Sequence, residues 1–223
     1  MNTWDATRQQ AYRVQHPEST FTFHLLLDAS GSMFPHEAAL RSAYNMYLRW
    51  LQRHGPAMAL VDTRCFGSYL QSKNVQALGN TPPLQPVTYS AEYGGTALYD
   101  AIGAVVTQAS EPGQHILMVF TDGMDGDSEY WSSGQVRELL TTLQTENHWL
   151  CVFLGAFPQA LEVATMLGFL HGNCLVFGSE RIPDAFERLR RAIENYLLAT
   201  PQQRKLLARG GVFSMKDDAH ASR

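Results

Sequence analysis

A doubly wound α/β domain, with a mainly parallel central sheet and helices on both faces, is the fold that this sequence predicts. Two observations lead there. Short apolar runs rich in Leu, Val, Ile and Phe alternate with longer amphipathic stretches, the rhythm of strands joined by helical crossovers. The chain has 223 residues, 45% of them hydrophobic, which is comfortable for one domain and cramped for two. A chain of this length buries roughly 70% or more of its unfolded surface, so a sizeable core is available.

The elements follow in order. Residues 21–29 (FTFHLLLDA) read as a buried strand, nearly continuous in apolar residues, after which Ser30, Gly31 and Ser32 turn the chain. Residues 35–54 read as a helix. Pro35 suits its first turn, Leu40, Ala43, Tyr44, Tyr47, Leu48 and Leu51 form an apolar stripe, and Gly55 with Pro56 stops it. Residues 58–66 return as a strand. From 67 to 86 the chain is rich in Gly, Asn and Pro, which predicts irregular loops around a hairpin or an antiparallel edge strand.

The second half repeats the rhythm more plainly. Residues 97–109 read as a helix closed by Pro112 and Gly113, 115–121 (HILMVFT) as a buried strand, and 133–146 as a helix. Strand 148–156, helix 158–167 and the short strand 173–177 come next. A last long helix occupies 183–199, with Pro183 early and Asp184 favouring its N-terminus. The expected domain therefore spans 20–200, after a polar N-terminal extension at 1–19. Residues 201–223 are expected to be a flexible tail, because Gly210, Gly211 and the polar KDDAHASR ending offer little to bury.

Charge excludes one class of partner. The formal net charge is −4 and the 17 Lys and Arg are scattered, whereas a nucleic-acid footprint needs a basic face. The first residues lack the apolar core of a signal peptide, and the longest apolar stretches fall far short of the ~20 residues that span a bilayer. Cys65, Cys151 and Cys174 are widely spaced, form no CxxC and read as buried thiols. Together these features place the protein, as an expectation, in the cytoplasm.

Function in such folds gathers at the C-terminal ends of the strands. Three loops there, or just before a helix, carry small oxygen-bearing residues: Asp28-Ala29-Ser30-Gly31-Ser32, then Gly94-Gly95-Thr96, then Thr121-Asp122-Gly123. A hard divalent cation wants oxygen ligands, a few charges and room for water, and two carboxylates with three hydroxyls meet that demand. Helix capping explains any one of these loops alone, since Ser, Thr and Asp satisfy free N–H groups at helix starts. It does not explain all three together.

The ordered set Asp28, Ser30, Ser32, Thr96 and Asp122 resembles the metal ion-dependent adhesion site (MIDAS) of the von Willebrand factor type A (vWA) domain family. The segments GGTALYDAIG and VFTDG resemble the small stand-alone bacterial members especially closely, and the likeness covers about residues 20–200. The resemblance implies that these five residues hold Mg²⁺ (or Mn²⁺ or Ca²⁺), with a Glu or Asp of a partner protein completing the shell. Phe34 and Tyr93, in the same loops, are candidates for an apolar rim that contacts the partner.

The expected function is thus a metal-dependent protein-binding module and not an enzyme. One alternative is a structural or regulatory subunit of a bacterial or phage-related assembly, for example beside an AAA+ ATPase. Another is a Mg²⁺-dependent phosphohydrolase with Asp28 as nucleophile. Against it, Ser30 stands where a second acid is usual, and the three loops hold no general base. The acidic run Asp125, Asp127, Glu129 reads as a solvated loop; counted as an EF-hand from Asp125, positions six and twelve hold Tyr130 and Val136, so that motif fails. His24 reads as a packed strand residue, and Arg188, Arg190 and Arg191 as a solvated helix face.

Overall fold

The computed structural model of the protein describes residues 20–91, 94–111, 113–145 and 149–213. Its strands β1 (Phe21–Asp28), β2 (Leu60–Phe66), β3 (Val75–Ala77), β4 (Gln114–Thr121), β5 (Leu150–Gly155) and β6 (Cys174–Val176) form one sheet in the order β3-β2-β1-β4-β5-β6. All neighbours run parallel except β3, which lies antiparallel to β2 at the edge. Six helices surround it among the described residues: α1 (Glu37–His54), α2 (Leu98–Gln108), α3 (Ser133–Thr145), α4 (Ala160–Met166), α5 (Ile182–Leu198) and α6 (Pro201–Gly210). This is the doubly wound architecture that the alternating pattern predicts.

Strand periodicity divides the core in two. Phe21, Phe23, Leu25 and Leu27 of β1 pack with Leu40, Tyr44 and Leu48 of α1 and Phe186, Leu189 and Ile193 of α5. On the opposite face Leu26 joins Leu117 and Val119 of β4, Phe153 of β5, and residues of α2, α3 and α4. Each such Leu or Phe contributes about 1.5–3 kcal/mol by leaving water. The second face also holds a row of buried polar groups. His24 Nε2 and His115 Nδ1 lie 3.0 Å apart, both rings stack with Trp149, and His24 Nδ1 is 3.5 Å from Asp62 Oδ2. Arg64 closes the row, donating to Asp62 at 2.7–3.1 Å and to Gln108 at 2.7 Å. His24 is the packed residue its strand position predicts, 1% exposed.

Two expectations need correction. The helix read from residue 35 begins at Glu37, and Gly31–His36 wind as a 3₁₀ turn with Pro35 inside it. A proline, having no N–H to bond back, is accommodated in this opening turn. The flexible tail read from Pro201 is instead ordered through residue 213. Thr200 and Gln203 form a reciprocal capping box that starts α6. Arg204, 2% exposed, donates to the Ala199 carbonyl and the Gln114 side chain and lies 5.0 Å over the Phe21 ring. Its polar label conceals an apolar stem and a cation–π partner, which is why composition alone misreads the segment. Asn173 pins the end by bonding Ala208 and Val212. Residues 1–19 and 214–223 lie outside the described residues. No helix among the described residues is long and apolar enough to cross a membrane.

Candidate metal centre

The order of the sheet sets where a ligand can sit. The chain leaves β1 toward β2 on one side, and β4 continues toward β5 on the other, so a crevice opens above the C-terminal ends of β1 and β4. Asp28 ends β1 and Thr121 ends β4.

From these two ends a continuous hydrogen-bonded chain grows. Asp28 Oδ1 accepts the Ser30 N–H at 2.8 Å, which folds the loop tightly back on its strand. Ser30 Oγ lies 3.1 Å from Ser32 Oγ, and Ser32 donates to Asp122 Oδ1 at 2.7 Å. The Gly31 N–H donates to the Gly94 carbonyl at 3.2 Å, tying the first loop to the second. Thr96 Oγ1 stands 3.7 Å from where a Cβ on Gly123 would lie, so the third loop passes directly beside that hydroxyl. The five residues singled out in the sequence are therefore neighbours. Asp28, Ser30 and Thr96 are buried, Asp122 is half-buried and Ser32 is exposed, so the cluster opens to solvent on its Ser32–Asp122 side.

Capping does not employ these hydroxyls. Ser30 stands at the start of the 3₁₀ turn without a side-chain cap bond, and α2 begins after Ala97 with none from Thr96. The first N–H groups of α2 are served from elsewhere: Tyr99 by Asp125 Oδ1 at 3.1 Å and Asp100 by Ser128 Oγ at 3.0 Å. The acidic run is thus more than a solvated loop. Gly126 and Asp127 also donate N–H groups to the Thr96 carbonyl, and Asp127 accepts the Ser68 hydroxyl at 2.6 Å. A Cβ on Gly95 would fall inside the Asp127 carboxylate, so a larger residue there would have to displace that side chain from Ser68.

Two supporting residues escaped the sequence reading. Thr121 donates to Asp28 Oδ2 at 2.6 Å; its place immediately before Asp122 was the available signal. Tyr89 donates to the Asp28 carbonyl at 2.6 Å, a contact across 61 residues that no local pattern announces. Phe34 is 58% exposed beside the cluster, as are Met124 (58%) and Tyr69 (86%) on neighbouring loops. Tyr93, the other candidate for the rim, lies outside the described residues.

Burial pushes the Asp28 carboxyl above its ordinary range, and the charge of Asp122 adds to that, while the Thr121 and Ser30 hydrogen bonds oppose it. Among the described residues no Lys, Arg or His pairs with either carboxylate, and no group of three or more His, Cys, Asp or Glu is arranged to hold a metal. The donor set is two acids and three hydroxyls, all oxygen, which fits a hard cation such as Mg²⁺ and not a soft one.

No protein-family model matches the sequence, and no curated protein matches it significantly. Solved structures do. The D319A mutant of the PilB minor pilin from Streptococcus sanguinis is similar with a TM-score of 0.62 at 10% identity, over 81% of this chain and 63% of that one. The vWF domain of the type V pili tip protein Mfa5 from Porphyromonas gingivalis matches with a TM-score of 0.63 at 7% identity, over 80% and 96%. The ArnB paralog VWA2 from Sulfolobus acidocaldarius matches with a TM-score of 0.54 at 16% identity, over 76% and 45%. This chain therefore spans less than two thirds of the minor pilin and of VWA2, and nearly all of the Mfa5 domain. The fold is vWA-like.

Proposed function

We propose that the protein is a divalent-metal-dependent protein-binding module, and that its cation accepts a Glu or Asp side chain from a partner. The observation that carries this reading is the chain Asp28–Ser30–Ser32–Asp122, with Thr96 beside it, at the sheet's switch point. Asp28, Ser30, Ser32, Thr96 and Asp122 would hold Mg²⁺, or Mn²⁺ or Ca²⁺. When bound, the ion supplies a positive centre with room for an outside oxygen. Asp28 and Asp122 formally balance the ion's two charges, while the neutral hydroxyls leave coordination positions that a further hard oxygen, such as a partner carboxylate, can fill. Exposed Phe34 beside the cluster, with Met124 and Tyr69, offers apolar contact around the docking point.

Binding is favoured over catalysis because the hydrogen-bonded set of Asp, Ser and Thr includes no His, Lys or Cys to activate a hydroxyl or a water. The vWA-like fold of the structural neighbours supports an interaction role. Cys65, Cys151 and Cys174 are free thiols, which supports a reducing cytoplasm.

Titration calorimetry with Mn²⁺ and Mg²⁺ on the wild type and Asp28→Ala tests the site. Saturable binding to the wild type, lost in a folded Asp28→Ala, is the expected result. Affinity capture with Mg²⁺ and elution by EDTA then tests the partner. Equal capture with and without EDTA sinks metal-dependent recognition.

A further inference from the structure

We infer that Tyr89 is a positioning residue for the candidate metal loop and couples it to the strap formed by residues 78–91. This rests on the metal-binding reading above. The strap is held from α1 by a polar stripe at helical spacing, Glu37, Arg41, Asn45 and Gln52. Gln52 donates to the Leu78 and Thr81 carbonyls at 3.1 and 2.9 Å. Asn45 donates to the Leu84 carbonyl at 2.9 Å and accepts its N–H at 2.7 Å. Arg41 donates to the Tyr89 carbonyl at 3.1 Å, and Glu37 accepts the Ala91 N–H and the Ser90 hydroxyl. Every one of these helix side chains holds the strap's main chain.

The strap buries Leu78, Tyr89 and Ala91 in the core and packs Leu84 against it, but leaves two pockets between these anchors. A cavity of about 440 Å³ lies against Pro82, Pro83 and Leu84, and another of about 250 Å³ lies against Ala29, Ser90 and Gly94, with Cys65 and Gln71 bordering both. Tyr89, 1% exposed, reaches through to the Asp28 carbonyl. Asp28 is thereby fixed at three atoms by three elements, its carboxylate by the Ser30 N–H and the Thr121 hydroxyl and its main chain by Tyr89. A cation that orders Asp28 therefore acts on the strap through the tyrosine hydroxyl, the direct link between strap and Asp28. Groups that orient metal ligands at one remove typically alter affinity 10–100-fold.

The test pairs Mn²⁺ affinity with the alkylation rate of Cys65, read by mass spectrometry, because its thiol is buried 3.9 Å from the Thr88 carbonyl under the strap. In the wild type, Mn²⁺ slows Cys65 modification. Tyr89→Phe weakens Mn²⁺ binding about tenfold or more and abolishes that protection. Tyr44→Phe removes a comparable hydroxyl contact, 2.7 Å to Thr63, away from the site. It lowers Tm but leaves the affinity at the wild-type value. Should Tyr89→Phe fail to fold, Glu37→Ala loosens the strap at Ser90 and Ala91 and gives a smaller loss in the same direction. Wild-type affinity with retained protection in Tyr89→Phe overturns this inference alone. No Mn²⁺ binding by the wild type overturns the metal reading and this inference with it.

Discussion

Asp28 and Asp62 lie on neighbouring parallel strands and on the same face of the sheet, Asp62 level with His24 and Asp28 four residues further along. Both are essentially excluded from water, yet their surroundings are opposite. Burial works to raise the Asp62 carboxyl, but the adjacent His24 ring, the Arg64 hydrogen bonds and charge, and the Asn74 N–H outweigh it and hold the group well below the usual carboxylate range. Asp28 has only neutral donors and a second carboxylate nearby, and its carboxyl is pushed up. Where the charge belongs to the fold, the chain supplies its own cation two residues away. At the mouth of the sheet no Lys, Arg or His among the described residues pairs with Asp28, a difference consistent with the proposed external cation.

The largest effect should come from breaking the self-sufficient pair. Asp62→Ala leaves Arg64 buried without its counter-ion, and removing one partner of such a pair costs about 3–5 kcal/mol. Urea unfolding should report that loss, while Mn²⁺ affinity of the folded variant stays at the wild-type value. A loss confined to a few tenths of a kcal/mol would mean that the buried row is not what holds β1 and β2 in register.

Asp28→Asn probes the other half of the comparison. Without metal its stability should lie within about 1 kcal/mol of wild type, since it removes a buried charge and keeps an acceptor. Metal at a hundredfold excess over Kd should stabilise the wild type by about 2.7 kcal/mol and Asp28→Asn by nothing. Thermal unfolding with Mg²⁺ and with EDTA separates the two quantities. A variant that is both strongly destabilised and still lifted by Mg²⁺ would make Asp28 another structural aspartate like Asp62.

What the sequence disclosed follows from how local each signal is. The strands were legible because β1, β4 and β5 are short apolar runs with turn residues after them. The three loops of the candidate site were legible because small oxygen-bearing residues at strand ends are an unusual conjunction. Contacts that join distant segments were not: Tyr89 to Asp28, and Arg204 to Gln114 across 90 residues. The acidic run looked solvated because its partners, Ser68 and the start of α2, lie 26 or more residues away. Arg204 shows the same limit in energetic terms, since a cation over Phe21 is a core residue that composition counts as surface.

The smallest expected effect is a pH dependence whose step nearest neutrality belongs to the Asp62 row. His115 Nε2 faces the Glu111 carbonyl at 2.9 Å, an atom that can only accept, so the ring carries its proton on Nε2 and accepts from His24 at Nδ1. A second proton would turn that acceptor into a donor facing a donor. Burial, with the nearby His24 charge, accordingly lowers the His115 pKa from 6.5, while the Glu111 carbonyl bond and charge oppose the shift and Lys73 adds slightly to it. Below pH 6.5 the unfolded chain takes up a proton that the fold resists, so this contribution is full above 6.5 and fades as pH falls toward the lower folded value. Asp62, whose pKa is depressed, adds a second loss below its unfolded value of 3.8, along with Glu37, Glu111 and Glu187 below 4.5. Urea midpoints at pH 7.5 and 5.5, taken in EDTA to remove any metal contribution, should fall for the wild type and hold nearly level for His115→Gln. Equal slopes in the two proteins would place the proton uptake on other histidines and uncouple the row from acid sensitivity.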